Sequence, residues 1–105
     1  MDDNDMNQIS FKIISAVGSA RSMYIEAIQK AKIGEFDEAD ALIKEGVSLY
    51  LNGHKAHSSL IQREASDEQL VFSLLLMHAE DLMMNAETTK LMAEEIIELY
   101  RIIRV

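Results

Sequence analysis

The sequence contains no cysteine and no proline, and it has only four glycines among its 105 residues. Without cysteine the chain can form no disulfide, no thiol nucleophile and no zinc–thiolate site. Without proline, no residue breaks a helix by removing a backbone N–H group. Aromatic residues make up only 6% of the chain, while Met, Leu, Ala, Glu, Lys and Ile are abundant. This composition predicts helix almost throughout.

Positive charge is also scarce, with 10 lysines and arginines against 18 acidic residues and a formal net charge of −8. Binding to nucleic acid or to anionic lipid needs a basic surface, so we expect neither. No apolar run approaches the ~20 residues that span a bilayer, and the acidic start of the chain lacks the basic residues of a secretory signal. We therefore expect a soluble, cytoplasmic protein whose partners are proteins or small molecules.

Three long helices are predicted, separated by short breaks. The first runs from about Asn7 to Lys32, and the second runs from a capping Asp37 to about Glu64. The third follows Ser66, because Ser66 to Gln69 matches the capping box, and it reaches about Arg104. Short connections make neighbouring helices antiparallel. The prediction is an all-α, up-down-up bundle of three helices in one domain, residues 1–105.

Apolar spacing also predicts which sides of the first two helices are buried. On the first helix the core side is Ile9, Ile13, Ala16, Val17, Ala20, Tyr24, Ala27, Ile28 and Ala31. On the second it is Ala39, Leu42, Ile43, Val47, Tyr50, Leu51, His54, His57 and Ile61.

The third helix has polar residues inside its own apolar seam. Steps of three and four give Val71, Leu74, His78, Asp81, Asn85, Thr88, Met92, Glu95, Leu99 and Ile102. A histidine and an aspartate one turn apart in a buried position cost free energy unless something compensates them. The helix also carries more apolar residues than one face holds, which predicts self-association about a symmetry axis. Alternatively, the polar residues only fix register and oligomeric state.

His78 is the candidate nucleophile of this seam. An imidazole accepts a phosphoryl group at one nitrogen when a hydrogen bond at the other fixes its tautomer. The HExxH pattern of metalloproteases is absent, and His78 and Asp81 alone would supply only two metal ligands, so catalytic zinc is not expected. No glycine-rich phosphate loop is present either, so the expected donor is a phosphoprotein. Copies of Asp81 brought together would repel each other unless a divalent cation such as Mg²⁺ bridged them.

Four segments of the chain, in order and at matching spacing, resemble a known family. They are Gly18 to Ser22, Ala31 to Asp40, Leu60 to Ser66, and the run Met77-His78-Ala79-Glu80-Asp81. Across essentially its whole length the chain is similar to the enzyme IIA component of the lactose/cellobiose branch of the bacterial sugar phosphotransferase system. The resemblance implies a homotrimer of nine helices. It places His78 in a cleft between subunits and Asp81 on the threefold axis, sharing a divalent cation such as Mg²⁺.

The resemblance also implies the partners. The family takes a phosphoryl group from the phosphohistidine of the general phosphocarrier protein and passes it to a cysteine of enzyme IIB. The membrane component, enzyme IIC, moves the sugar, so the sugar does not bind here. A second function class stays open, in which the chain is a non-catalytic helical adaptor or regulatory trimer with a decayed carrier site.

Some positions depart from the family pattern. Glu80 stands where glutamine is common, Leu82 stands where histidine or another polar residue is common, and His57 replaces a glutamine. His54 is retained. Either His54 or His57 can line the cleft and hydrogen-bond the oxygens of a phosphohistidine; a packing role is equally open for His54 and is favoured for His57. Two arginines, Arg21 and Arg63, either orient phosphate or form surface ion pairs.

Overall fold

A computed structural model describes residues 1–104 and contains three α-helices of 30 residues each. Their bounds are Asp3–Lys32 for α1, Phe36–Ala65 for α2 and Leu74–Ile103 for α3. They lie side by side in a rod of 55 × 21 × 18 Å. The predicted all-α fold of three helices is confirmed. Within residues 1–104, none of these helices has an apolar stretch long enough to cross a lipid bilayer.

The first helix begins four residues before the predicted Asn7. Asp2 occupies the N-cap, and its side chain accepts a hydrogen bond of 2.8 Å from the backbone N–H of Asp5. Asp3 and Asp5 add negative charge to the first turn, which the helix dipole favours. The acidic start of the chain is therefore the first turn of α1 and its cap.

The predicted cap of the second helix, Asp37, is wrong. The helix begins at Phe36, and the residue at the cap position, Glu35, makes no side-chain capping hydrogen bond. Its carboxylate instead lies 3.5 Å from the ammonium group of Lys30. The turn between the helices uses Gly34 at a φ of 81°, a backbone conformation that costs glycine little. This tight turn leaves Asp37 already inside the first turn.

The predicted start of the third helix at Ser66 is also wrong. Ser66 is the C-cap of α2, and its hydroxyl donates to the carbonyl of Gln62 at 3.0 Å. Asp67 follows at a φ of 64°, so the chain leaves the helix there. The N-cap of α3 is Ser73, whose side chain accepts a bond of 3.1 Å from the N–H of Leu76. Before Ser73, Leu70 and Val71 pack against the core.

The core lies along α1, which packs against both other helices. Most of its predicted core side is confirmed, and these of its predicted residues are fully buried: Ile13, Val17, Ala20, Tyr24, Ala27 and Ala31. On α2 the prediction fails for Leu51, His54 and Ile61, which are exposed. The buried positions of α2 are Ala39, Gly46, Gly53 and Leu60.

Two glycines explain why the buried side of α2 differs from its apolar pattern. A Cβ on Gly46 would lie 2.5 Å from Cε1 of Tyr24, and one on Gly53 would lie 2.6 Å from Cγ1 of Val17. Only glycine lets α1 approach α2 this closely. Because glycine carries no hydrophobic side chain, the apolar pattern misplaces the contact.

Candidate functional site

The polar seam of α3 lies on the side of the helix opposite the core. The core side consists of Leu76, Ala79, Met83, Ala86, Ala93 and Ile97. We call the opposite side the outer face of α3, and it comprises Leu74, Met77, His78, Asp81, Met84, Asn85, Thr88, Leu91, Met92, Glu95, Leu99 and Ile102. Every one of these residues is exposed in the single chain.

Exposure of the outer face leaves large apolar side chains in water. Leu74 is 82% exposed, and Met77 and Met84 are 63% and 64% exposed. Exposed apolar patches of this kind mark interaction surfaces. The seam was predicted to be buried, and within one chain it is not. Burial of this face therefore requires another copy or a partner.

His78 and Asp81 lie one turn apart on this face, and both side chains are exposed. Among the side-chain hydrogen bonds and ion pairs of residues 1–104, none involves either residue. The imidazole is accessible to another protein, and its ring nitrogens make no hydrogen bond to any other residue of the described part of the chain, 1–104.

The side of the outer face that carries His78 borders α1. Here Nε of Arg21 donates a hydrogen bond of 2.6 Å to Oδ1 of Asn85, one turn beyond Asp81. This contact holds a guanidinium group beside the polar seam. The other arginine singled out from the sequence, Arg63, forms an ion pair of 2.7 Å with Glu68 and helps to close the end of α2.

The other side of the outer face borders α2 and carries an acid–base pair. Nε2 of His57 lies 3.1 Å from Oε1 of Glu80. The His57 side chain is only 15% exposed, whereas that of Glu80 is 50% exposed. The pair lies at a surface depression of about 420 Å³, which is lined by His57, Ile61, Met77, Glu80, Asp81, Met83 and Met84.

His54 lies elsewhere on α2. Its ring stacks on that of Tyr50 with 6.1 Å between the centroids, and it does not line the depression beside Asp81. Within one chain the structure thus brings His57, and not His54, next to Asp81. The register of the two antiparallel helices α2 and α3 determines this. The same register brings the Tyr50 hydroxyl within 3.4 Å of the Glu87 carboxylate. In the sequence, the only indication of the His57–Glu80 pair is that a histidine on α2 and a glutamate on α3 fall at positions that face each other in the bundle.

Asp81 is the carboxylate of the outer face that the sequence singles out as a candidate cation ligand. Within residues 1–104, no group of three or more histidine, aspartate or glutamate side chains is arranged to hold a metal ion. Asp81 has the oxygen chemistry that Mg²⁺ prefers, and it is exposed at the middle of the outer face. It fits such an ion only where several copies bring their Asp81 side chains together.

Comparison with known proteins identifies relatives along nearly the whole chain. The protein-family model described as the lactose/cellobiose-specific IIA subunit of the phosphotransferase system matches residues 8–101. The lactose-specific EIIA component of Staphylococcus aureus is 33% identical over 101 residues, covering 96% of this chain and 98% of that protein. The lichenan-specific phosphotransferase enzyme IIA component of Bacillus subtilis is 43% identical over 98 residues, covering 93% and 89% respectively.

A solved structure agrees with the sequence comparisons. The crystal structure of the cellobiose-specific enzyme IIA from Bacillus anthracis superposes with a TM-score of 0.92 at 39% identity. The match covers 99% of this chain and 94% of that one. Sequence, fold and length agree, and the chain belongs to the lactose/cellobiose-specific IIA family of the sugar phosphotransferase system.

Proposed function

We propose that the chain is a phosphocarrier that accepts a phosphoryl group on His78 from the general phosphocarrier protein and passes it to a cysteine of enzyme IIB. Enzyme IIC then moves a sugar of the lactose/cellobiose type across the membrane. The observation that carries this proposal is the exposed imidazole of His78, which has no hydrogen-bond partner within residues 1–104 and lies on an apolar surface suited to protein contact.

Transfer to His78 needs a nucleophilic ring nitrogen and positioning. The P–N bond of the donor phosphohistidine breaks as a P–N bond forms on the His78 imidazole. In the second transfer this bond breaks as a P–S bond forms on the cysteine. Phosphoryl transfer passes through a loose, in-line transition state, so the carrier supplies geometry and charge stabilisation rather than a general base. Arg21 bonds Asn85 on the same side of α3 as His78, and we propose that its guanidinium group contributes to this charge stabilisation.

The proposal includes a homotrimer assembled through the outer face of α3. The exposed apolar side chains of this face support it, because association removes them from water. Three copies would bring three Asp81 carboxylates to the axis, where a divalent cation such as Mg²⁺ offsets their mutual repulsion. Asp81 would hold the ion, and the ion's role would be structural.

Labelling with phosphoenolpyruvate tests the carrier function. The chain is incubated with enzyme I, the general phosphocarrier protein and phosphoenolpyruvate labelled on its phosphoryl group. We expect acid-labile, base-stable label on the wild type and none on His78→Gln. Circular dichroism should show the same helix content in both proteins, because an exposed side chain is replaced. A wild type that takes up no label would contradict the proposal and would indicate the helical adaptor instead.

A further inference from the structure

The two sides of the outer face of α3 carry different chemistry. At about 100° per residue, His78 lies about 60° around the helix from Asp81 in one direction, and Glu80 lies about 100° in the other. The His78 side borders α1 through the Arg21–Asn85 contact. The Glu80 side borders α2 through the His57–Glu80 pair. Asp81 lies between the two sides.

Cyclic symmetry determines which sides meet in a trimer. An interface between copies related by a threefold axis joins two different surfaces, because only a twofold axis joins a surface to itself. If Asp81 faces the axis, the His78 side of one copy meets the Glu80 side of the next. The depression of about 420 Å³ between His57 and Met84 lies on that second side.

We propose that Glu80 and His57 of the neighbouring copy form the second wall of the His78 cleft, and that this Glu80 orients the His78 imidazole. The proposal rests on the trimeric phosphocarrier function proposed above. It goes beyond that function because it assigns a positioning residue and states that the residue acts between copies.

The geometry of the pair suits this role. One oxygen of Glu80, Oε1, accepts from Nε2 of His57, and the other, Oε2, takes part in no hydrogen bond within residues 1–104. That oxygen can accept the N–H of a neighbouring His78. The hydrogen bond would fix the tautomer and leave the lone pair of the other ring nitrogen for phosphorus. His57, nearly buried between α2 and α3, holds the Glu80 carboxylate in place.

The apolar lining of the depression supports a second copy as its occupant. Ile61 is 56% exposed, and Met77 and Met84 are exposed beside it. These side chains line the same depression as Glu80, so a neighbouring α3 that covers them also brings its His78 side towards Glu80. Removal of water from the contact strengthens the hydrogen bond.

Single variants test the orienting role. We expect Glu80→Ala to lower the maximal rate of His78 labelling about tenfold or more, the effect of losing a hydrogen bond to a charged acceptor. Glu80→Gln keeps an acceptor oxygen and should change the rate only modestly. Glu94→Ala is the matched control, because Glu94 is also on α3, is 47% exposed and pairs with Lys90. It should label like the wild type, and all three variants should keep the oligomeric mass of the wild type.

Mixed trimers test whether Glu80 acts between copies. His78→Ala keeps the Glu80 wall but lacks the nucleophile, whereas Glu80→Ala keeps the nucleophile but lacks the wall. Equal amounts are unfolded together in denaturant and refolded, and native mass spectrometry verifies the mixing. Every mixed trimer then contains one cleft with both wild-type residues, so the initial rate should recover to about a quarter of the wild-type rate.

The outcomes separate the two proposals. Recovery to about a quarter supports action between copies. A mixture that labels no faster than its content of Glu80→Ala alone overturns it, because Glu80 then acts within its own chain or not at all. A Glu80→Gln variant that loses label as completely as His78→Ala also overturns it, because glutamine retains an acceptor oxygen. Absence of label on the wild type contradicts the carrier function itself.

Discussion

Tyr24 is the largest fully buried side chain among residues 1–104, and its hydroxyl has no hydrogen-bond partner there. The ring packs against the backbone of α2 at Gly46. Burial disfavours the charged phenolate, and negative charge on Tyr50 and Glu94 adds to this effect. Together they raise the pKa of Tyr24 from 10.0 to about 12. The phenol is therefore neutral in the folded chain at every physiological pH.

The raised pKa makes the fold sensitive to alkali at Tyr24. Between about pH 10 and pH 12 the unfolded chain loses a proton that the folded chain keeps, so the free energy of unfolding falls as pH rises. Tyr24→Phe removes this effect. It also removes an unpaired buried hydroxyl, so at pH 7 we expect an equal or higher melting temperature.

Thermal unfolding followed by circular dichroism from pH 7 to pH 12 checks this expectation. The melting temperature of the wild type should fall more steeply above pH 10 than that of Tyr24→Phe. Parallel curves would show that the Tyr24 hydroxyl reaches water or a partner in solution.

The position at which α3 starts can be tested by substituting two serines, because only one of them caps this helix. Ser73 caps α3, whereas Ser66 ends α2. Ser73→Ala should lower the free energy of unfolding by about 1 kcal/mol, the usual cost of losing an N-cap. Ser66→Ala should cost less than half as much, because its backbone N–H still bonds the Gln62 carbonyl.

Urea denaturation at one fixed protein concentration compares the two serine variants, because association also contributes to stability. A larger loss for Ser66→Ala than for Ser73→Ala would place the start of α3 at the capping-box sequence in solution.

How well the sequence predicts the buried side of a helix depends on whether the buried residues are themselves apolar. The buried side of α1 follows from apolar spacing because its core residues are apolar themselves. On α2 the close contacts are made by Gly46 and Gly53, which add nothing to a hydrophobic pattern. At Ser66 the capping-box residues are present, but the positive φ of Asp67 ends the helix before they can act.

The same distinction holds at the candidate site. His78 and Asp81 stand out in the sequence because they interrupt the seam of a single helix. The contact between His57 and Glu80 depends on the register of α2 against α3, which follows from the lengths of the turn and of both helices. Sequence spacing within one helix therefore finds the first pair but cannot find the second.

At the level of the assembly, the cation proposed at Asp81 would link cation binding to the stability of the proposed trimer. A cation that binds only the trimer stabilises it by mass action. We expect a chelator to lower the melting temperature of the wild type and Mg²⁺ to restore it. Asp81→Asn removes both the repulsion between carboxylates and the ligand of the cation. This variant should form a trimer whose melting temperature does not change with chelator or Mg²⁺.

Light scattering and thermal unfolding, each with and without chelator, measure both properties. The expected mass is three times that of the 11.9 kDa chain. A monomer at micromolar concentration would contradict the trimer, and a wild type indifferent to chelator and Mg²⁺ would contradict the cation site.

The narrow core has a consequence for how the protein is made and maintained. Seven of the fifteen buried apolar residues within 1–104 are alanines, whereas fourteen large apolar side chains there are exposed. Alanine buries little surface, so much of the stabilisation available to the chain lies outside its own core. In the proposed trimer, folding and assembly are then coupled. A newly synthesised chain becomes fully stable only after it meets two others, and dilution below the concentration at which the trimer dissociates would favour unfolding.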